Sequence, residues 1–199
     1  MTRRRVCGLA VFRPFRPFRL ERLERRRPRR IVRAVYCGVN SFVSLVILAV
    51  IAEYSHAPFL FPSLGPTAFL LFHAPLAASA SPHNTLLGHL IGVLAGWFAL
   101  AVTGLLATRP DLEDVDARRA LACGLALGLT CGLMPLLDAA HPPAGATTLI
   151  VALGLLRTPD HLVVLMAAVV LITAQGFVIN RLAGLPYPLW RLPSAVAEP

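Results

Sequence analysis

A chain of 199 residues that is 56% hydrophobic, 15% charged and has a mean hydropathy of +0.68 has the composition of a membrane protein, not of a soluble enzyme. The formal charge of +9 is unevenly placed. Thirteen of the 19 basic residues, all of them arginine, lie in residues 1–33 beside only Glu21 and Glu24, whereas residues 34–199 hold six arginines and eight acids. The high isoelectric point therefore belongs to residues 1–33, an Arg-rich tail, and not to the apolar domain over 34–191; residues 192–199 form a C-terminal tail. A basic tail of this kind reads as a cytoplasmic segment touching anionic lipid headgroups, with no role in nucleic-acid binding. Its Phe12-Arg13-Pro14-Phe15-Arg16-Pro17-Phe18 beat holds too many prolines for a helix. An Arg-rich, acid-poor start is shared by organelle transit peptides, while the missing apolar core argues against a secretory signal.

In chain order, 34–55 is the first run long enough to span a bilayer, since about 20 apolar residues suffice. Asn40 and Ser44, four apart, share a face. His56-Ala57-Pro58 ends it. Residues 62–73 form a short apolar piece with prolines at 62 and 66. A loop over 74–83 leads to the second span, 84–107, with Gly88, Gly92 and Gly96 on one face beside His89. The charged loop 108–119 follows. The third span, 118–138, carries Gly124, Gly128 and Gly132 at the same spacing. Both glycine ridges read as packing faces, against each other or against another copy of the chain. After a second short piece, 142–154, the fourth span is 161–182, with Gln175 and Asn180. Tyr187, Trp190 and Arg191 read as an interfacial anchor, and His73, His83 and His161 near span ends are expected to face water or headgroups. Cys7, Cys37, Cys123 and Cys131 show no metal-ligand or CxxC spacing, so no metal and no cofactor is implied.

The two short pieces carry the chemistry. Pro142 and Pro143 break a helix and can start a new one. Pro62-x-x-Gly65-x-Thr67 matches Pro142-x-x-Gly145-x-Thr147 at a constant offset of 80. The chain therefore reads as an all-α membrane protein of four long helices and two short broken helices in two pseudo-symmetric repeats, about 34–107 and 117–183. Broken helices of this kind mark binding sites in transporters. A helix N-terminus carries partial positive charge and attracts anions. Candidate ligand residues are Ser63, Gly65, Thr67, His141, Pro143, Gly145, Thr147 and Thr148. Asp138, His141 and His89 are candidates for a proton relay, because intramembrane ionisable groups are functional by default; the competing reading of Asp138 and His141 is a structural cap at the helix break. Arginine counts favour short pieces that dip in and return, which puts Arg109, Arg118 and Arg119 on the side of the N-terminal tail and makes the repeats parallel. Pieces that cross fully would give inverted repeats.

The run His141-Pro142-Pro143-Ala144-Gly145-Ala146-Thr147-Thr148-Leu149-Ile150 resembles the signature of the HPP family of integral membrane proteins. Further resemblance lies in Phe61–Phe72, Ser81-Pro82-His83-Asn84, Leu87-Gly88-His89, Asn180-Arg181-Leu182 and Tyr187-Pro188-Leu189-Trp190, so that it covers about residues 36–191. The resemblance implies a transporter for a small inorganic anion, nitrite above all, in the bacterial inner membrane. Two other functions compete with it: a membrane sensor or scaffold signalling through the Arg-rich tail, and an intramembrane enzyme. No nucleophile motif and no HExxH pattern supports the enzyme.

Overall fold

The computed structural model describes residues 20–112 and 116–192. The Phe-Arg-Pro stretch, part of the charged loop and the last seven residues lie outside the described residues. The described chain is helical: α1 (Leu20–Arg26), α2 (Arg29–Ser55), α3 (Leu64–His73), a 3-10 turn (Ala78–Ala80), α4 (Pro82–Val102), α5 (Ala117–Leu136), α6 (Ala144–Ala152) and α7 (Pro159–Leu182). Helices α2, α4, α5 and α7 are long and apolar enough to cross a membrane.

Local sequence explains the boundaries. Pro28 precedes α2, and Pro82 and Pro159 open α4 and α7, where a missing N–H costs nothing. The Ser81 hydroxyl caps α4 by accepting from the Asn84 N–H, and the Asp116 carboxylate caps α5 by accepting from the Arg119 N–H at 2.6 Å. Gly104, Gly154 and Gly184 adopt positive φ after α4, α6 and α7, each closing the last turn with a Schellman pair such as Leu155 N–H to Ile150 carbonyl. After α5 the same place is taken by Asp138 at φ 49, with Ala139 N–H bonded to the Met134 carbonyl. Aspartate tolerates that backbone better than most side chains do.

The direction of the short helices corrects the topology favoured by arginine counts. The C-terminal end of α3 lies beside the start of α2: Phe72 meets Tyr36 edge to face at 6.2 Å, and His73–Ala77 share a cleft with Arg29 and Arg33. The end of α7 joins them, since Leu20 N–H bonds the Ala183 carbonyl. At the opposite end, Arg118 Nη2 donates to the Thr103 carbonyl at 2.5 Å, and the Arg119 guanidinium packs on Gly154. So α3 runs towards the tail end and α6 runs away from it. The loop carrying Arg109, Arg118 and Arg119 sits opposite Arg29. The count misled because these arginines are engaged by the fold: exposed Arg118 donates to the carbonyl that ends α4, where a cation is stabilised by the helix dipole, and buried Arg119 donates to the Arg109 carbonyl and lies against the end of α6.

The two glycine ridges have different fates. That of α4 packs on α6: a Cβ at Gly88 would stand 2.6 Å from His141 Cβ, at Gly92 2.7 Å from Thr148 Oγ1, and at Gly96 2.8 Å from Val151 Cβ. The ridge of α5 faces outward. Gly124, Gly128 and Gly132 have nothing within 4 Å of such a Cβ and are exposed, so they do not pack against the α4 ridge.

Candidate functional site

The site forms where the first turns of the two short helices meet. Thr67 lies one turn into α3 and Thr147 one turn into α6. Both hydroxyls reach the same imidazole: His89, on α4, places Nε2 3.0 Å from Thr67 Oγ1 and Nδ1 2.7 Å from Thr147 Oγ1. The offset of 80 between the two threonines thus becomes a physical bracket around one ring. His141 stands against His89 with ring centroids 5.0 Å apart, and its Nε2 is 3.4 Å from Thr67 Oγ1. Thr67, His89, His141 and Thr147 are all fully buried. No water reaches them directly, and hydrogen bonds among them replace it.

His141 is oriented from outside the cluster. Its Nδ1 lies 2.7 Å from the Ser79 carbonyl in the 3-10 turn, and the carbonyl of the preceding Ala140 accepts from Asn84 Nδ2 at 3.1 Å. A carbonyl only accepts, so Nδ1 carries the proton. Asp138 is exposed and stops α5; the partner of Nδ1 is Ser79 rather than Asp138. Thr148 is also buried but turns away from the imidazoles, bonding Thr130 Oγ1 at 2.9 Å and the Ala144 carbonyl at 3.1 Å, and so it ties α6 to α5.

Ser63 ends the approach to α3. It is fully buried, its carbonyl accepts from Thr67 Oγ1 at 2.9 Å, and its own hydroxyl has no partner. Thr85, one turn before His89 on α4, is likewise buried with an unpartnered hydroxyl. Pro143 is buried at the start of α6. The amides of Ala144, Gly145 and Ala146 close turn bonds to the carbonyls of His141, Pro142 and Pro143. The start of α6 therefore offers its dipole more than loose N–H groups. Gly65 and Gly145 are not packing glycines: a Cβ at Gly65 would meet nothing within 4 Å, and at Gly145 only Leu127 Cδ1 at 3.7 Å.

Four residues that hold the site were not among the candidate site residues read from the sequence. Asn180 bonds the Leu71 carbonyl at 3.0 Å and accepts from Tyr36 Oη at 2.8 Å, closing the far end of α3. The Arg119 guanidinium packs on Gly154 at the far end of α6 and donates to the Arg109 carbonyl at 3.2 Å. Ser79 and Asn84 position His141. Asn180 gave a signal, as an amide inside an apolar span, and Asn84 lay in the resembling run Ser81-Pro82-His83-Asn84. His83, expected to face water, is instead buried, with Nδ1 3.0 Å from Asn84 Oδ1 and Nε2 against Arg191. Tyr187, expected at the interface, is fully buried and donates to the Ala80 carbonyl. His73 and His161 are exposed.

Four membrane-length helices around a buried polar centre built by two broken helices define an all-helical integral membrane protein. The chain belongs to the HPP transmembrane-region family, whose pattern it matches over residues 26–188. It is similar to a transmembrane protein of Dictyostelium discoideum, 30% identical over 118 residues, which is 57% of this chain and 38% of that relative. A second transmembrane protein of the same organism is 31% identical over 116 residues, 56% of this chain and 34% of the relative. The matched region thus spans little more than a third of these relatives. No solved structure matches.

Proposed function

We propose that the protein carries a small inorganic anion, nitrite by the family resemblance, across a bacterial inner membrane together with a proton, with its N-terminal tail in the cytoplasm. One observation carries the reading: Thr67 and Thr147, from short helices running in opposite directions, sit on the two nitrogens of His89. The positive ends of both helices therefore converge on one buried point. Each end is worth about half an elementary charge, so together they offset one anion without a fixed arginine that would trap it. Ser63 and Thr85 supply hydroxyl donors with no other partner. His89 and His141 form the proton relay, and Asp138 is not needed for it. At the tail end, a cleft of about 930 Å³ is lined by Arg25, Arg29 and Arg33 together with Glu21 and Glu24, which pairs with Arg33 at 2.8 Å and Arg29 at 3.9 Å; the arginine left over gives it the net positive charge that would draw anions in.

The test is uptake into proteoliposomes. Thr67→Val and Thr147→Val each remove one hydroxyl at nearly constant volume. Both variants are expected to insert and purify as the parent does but to carry anions several-fold more slowly. Unchanged uptake in both would move the site elsewhere.

A further inference from the structure

At the tail end, one turn of backbone separates the buried centre from the cleft. Residues 74–77 line that cleft, and the 3-10 turn Ala78–Ala80 follows them directly. Ala78 is exposed and Ser79 half-buried, yet the Ser79 carbonyl lies 2.7 Å from Nδ1 of the fully buried His141. A single residue thus reaches both the surface and the centre. The turn's own hydrogen bonds use the carbonyls of Ala77 and Ala78, which accept from the N–H groups of Ala80 and Ser81. That leaves the carbonyls of Ser79 and Ala80 for other partners. Ser79 takes His141, and Ala80 takes the hydroxyl of Tyr187.

Tyr187 belongs to a strap, residues 185–191, that follows α7. The strap is fixed at its start by the Leu185 N–H on the Asn180 carbonyl. At its other end it is fixed to α4. The Trp190 carbonyl accepts from the His83 N–H at 3.1 Å, the two rings meet edge to face at 5.3 Å, and Arg191 donates to His83 Nε2. Between these points Pro186 and Pro188 flank Tyr187 and have no N–H to give. Leu185 and Pro186 line the same cleft as residues 74–77. A 3-10 turn holds itself by hydrogen bonds of poorer geometry than those of an α-helix. This layer can therefore lift without unwinding any long helix.

We propose that the 3-10 turn is the tail-side gate of the buried centre, that the strap is its latch, and that the Tyr187 hydroxyl is the catch. The inference rests on the transport reading and adds the place where the anion passes between cleft and centre. In the closed gate Thr67, His89, His141 and Thr147 are all fully buried. Lifting the turn draws the Ser79 carbonyl off His141 and the Ala80 carbonyl off Tyr187. These carbonyls belong to adjacent residues, so the latch and the contact with the centre open together.

Access is measured separately from transport. The whole chain, with Cys7, Cys37, Cys123 and Cys131 replaced by serine, carries Thr85→Cys as reporter. Thr85 is fully buried one turn before His89 and its hydroxyl has no partner, so the thiol gives up no hydrogen bond. A small membrane-impermeant thiosulfonate is added to sealed vesicles from the tail side or from the opposite side. Tyr187→Phe keeps the ring beside Phe177 and removes only the catch. It is expected to speed tail-side labelling about tenfold, the scale of leaving one buried carbonyl unpaired, with no change from the opposite side. Trp190→Ala frees the other end of the strap from the His83 ring at a half-exposed position and should act in the same direction. Parent-like tail-side rates in both variants, or equal acceleration from both sides, would overturn the gate. A second arm locks it. The backbone bond between residues 83 and 190, with their rings facing, puts this pair within disulfide reach. In a chain with His83→Cys and Trp190→Cys and with Thr85 kept, oxidation is expected to stop anion uptake and reduction to restore it. If the oxidised protein carries anions as fast as the reduced one, the strap is not the latch. No uptake by the parent chain would defeat the transport reading, while faster tail-side labelling in Tyr187→Phe would still support the gate.

Discussion

Replacing Gly92 by alanine tests how α4 supports the site. A Cβ there would stand 2.7 Å from Thr148 Oγ1 and 2.9 Å from the Ala144 carbonyl oxygen. The carbonyl belongs to α6 itself, so it moves only if the helix moves. The hydroxyl can swing away, but then it gives up its bonds to Thr130 and the Ala144 carbonyl. Overpacking of this kind costs about 1–3 kcal/mol, and a lost hydrogen bond about 1 kcal/mol more. Alanine's better helix propensity returns about 1 kcal/mol. The net is a loss of roughly 1–3 kcal/mol. Gly128, at the corresponding place in the α5 ridge, has nothing within 4 Å. There Gly128→Ala keeps only the propensity term and should gain about 0.5–1 kcal/mol. Thermal unfolding in detergent, followed by circular dichroism, should move the two variants in opposite directions. Shifts of the same sign and size would show that the α4 ridge does not seat α6 as described.

Three further outcomes are expected. Gly65→Ala has room for its methyl, so it should leave stability unchanged or raise it by up to about 1 kcal/mol, yet slow uptake where an anion approaches that backbone; unaltered uptake would remove Gly65 from the ligand set. Asn180→Leu leaves the Leu71 carbonyl and the Tyr36 hydroxyl unpartnered in a buried setting and should cost about 1–3 kcal/mol, read as a lower unfolding temperature; no change would mean that α3 is held by packing alone. Cysteines introduced at Arg22 and Leu112 should be labelled from opposite sides of the membrane, and labelling from one side would restore the re-entrant topology.

The helices and the identity of the central residues were legible in the sequence, because membrane spans are long apolar runs and the short pieces repeat Pro-x-x-Gly-x-Thr. The match between Thr67 and Thr147 was visible as spacing. Their meeting on one ring was not, since His89 lies in a third helix and spacing along the chain does not say which helices meet. Topology was misread for a physical reason: Arg118 and Arg119 look like loop charges in a sequence, but Arg118 donates to the Thr103 carbonyl at the end of α4 and Arg119 donates to the Arg109 carbonyl and packs on Gly154 at the end of α6. Asp138 gave the opposite error. Three residues before His141, it suggests a relay, whereas the backbone uses it to stop a helix at a place where the other three glycine-capped ends use Gly104, Gly154 and Gly184. Burial of His83 and Tyr187 was illegible because their partners, Arg191 and Ala80, lie more than 100 residues away.

The far ends of the short helices explain how the centre does without an arginine. A short helix placed inside a membrane has a positive end and a negative end, and both would cost free energy if left bare. In α6 the negative end is met by the Arg119 guanidinium and the Gly154 turn. In α3 it is met by the Asn180 amide on the Leu71 carbonyl and by the Ala74 N–H on the Leu70 carbonyl. The carbonyl ends are thus compensated at the two ends of the bundle, while the positive ends converge on two buried imidazoles, those of His89 and His141. Under the transport reading, the converging helix ends are what would favour a negative guest.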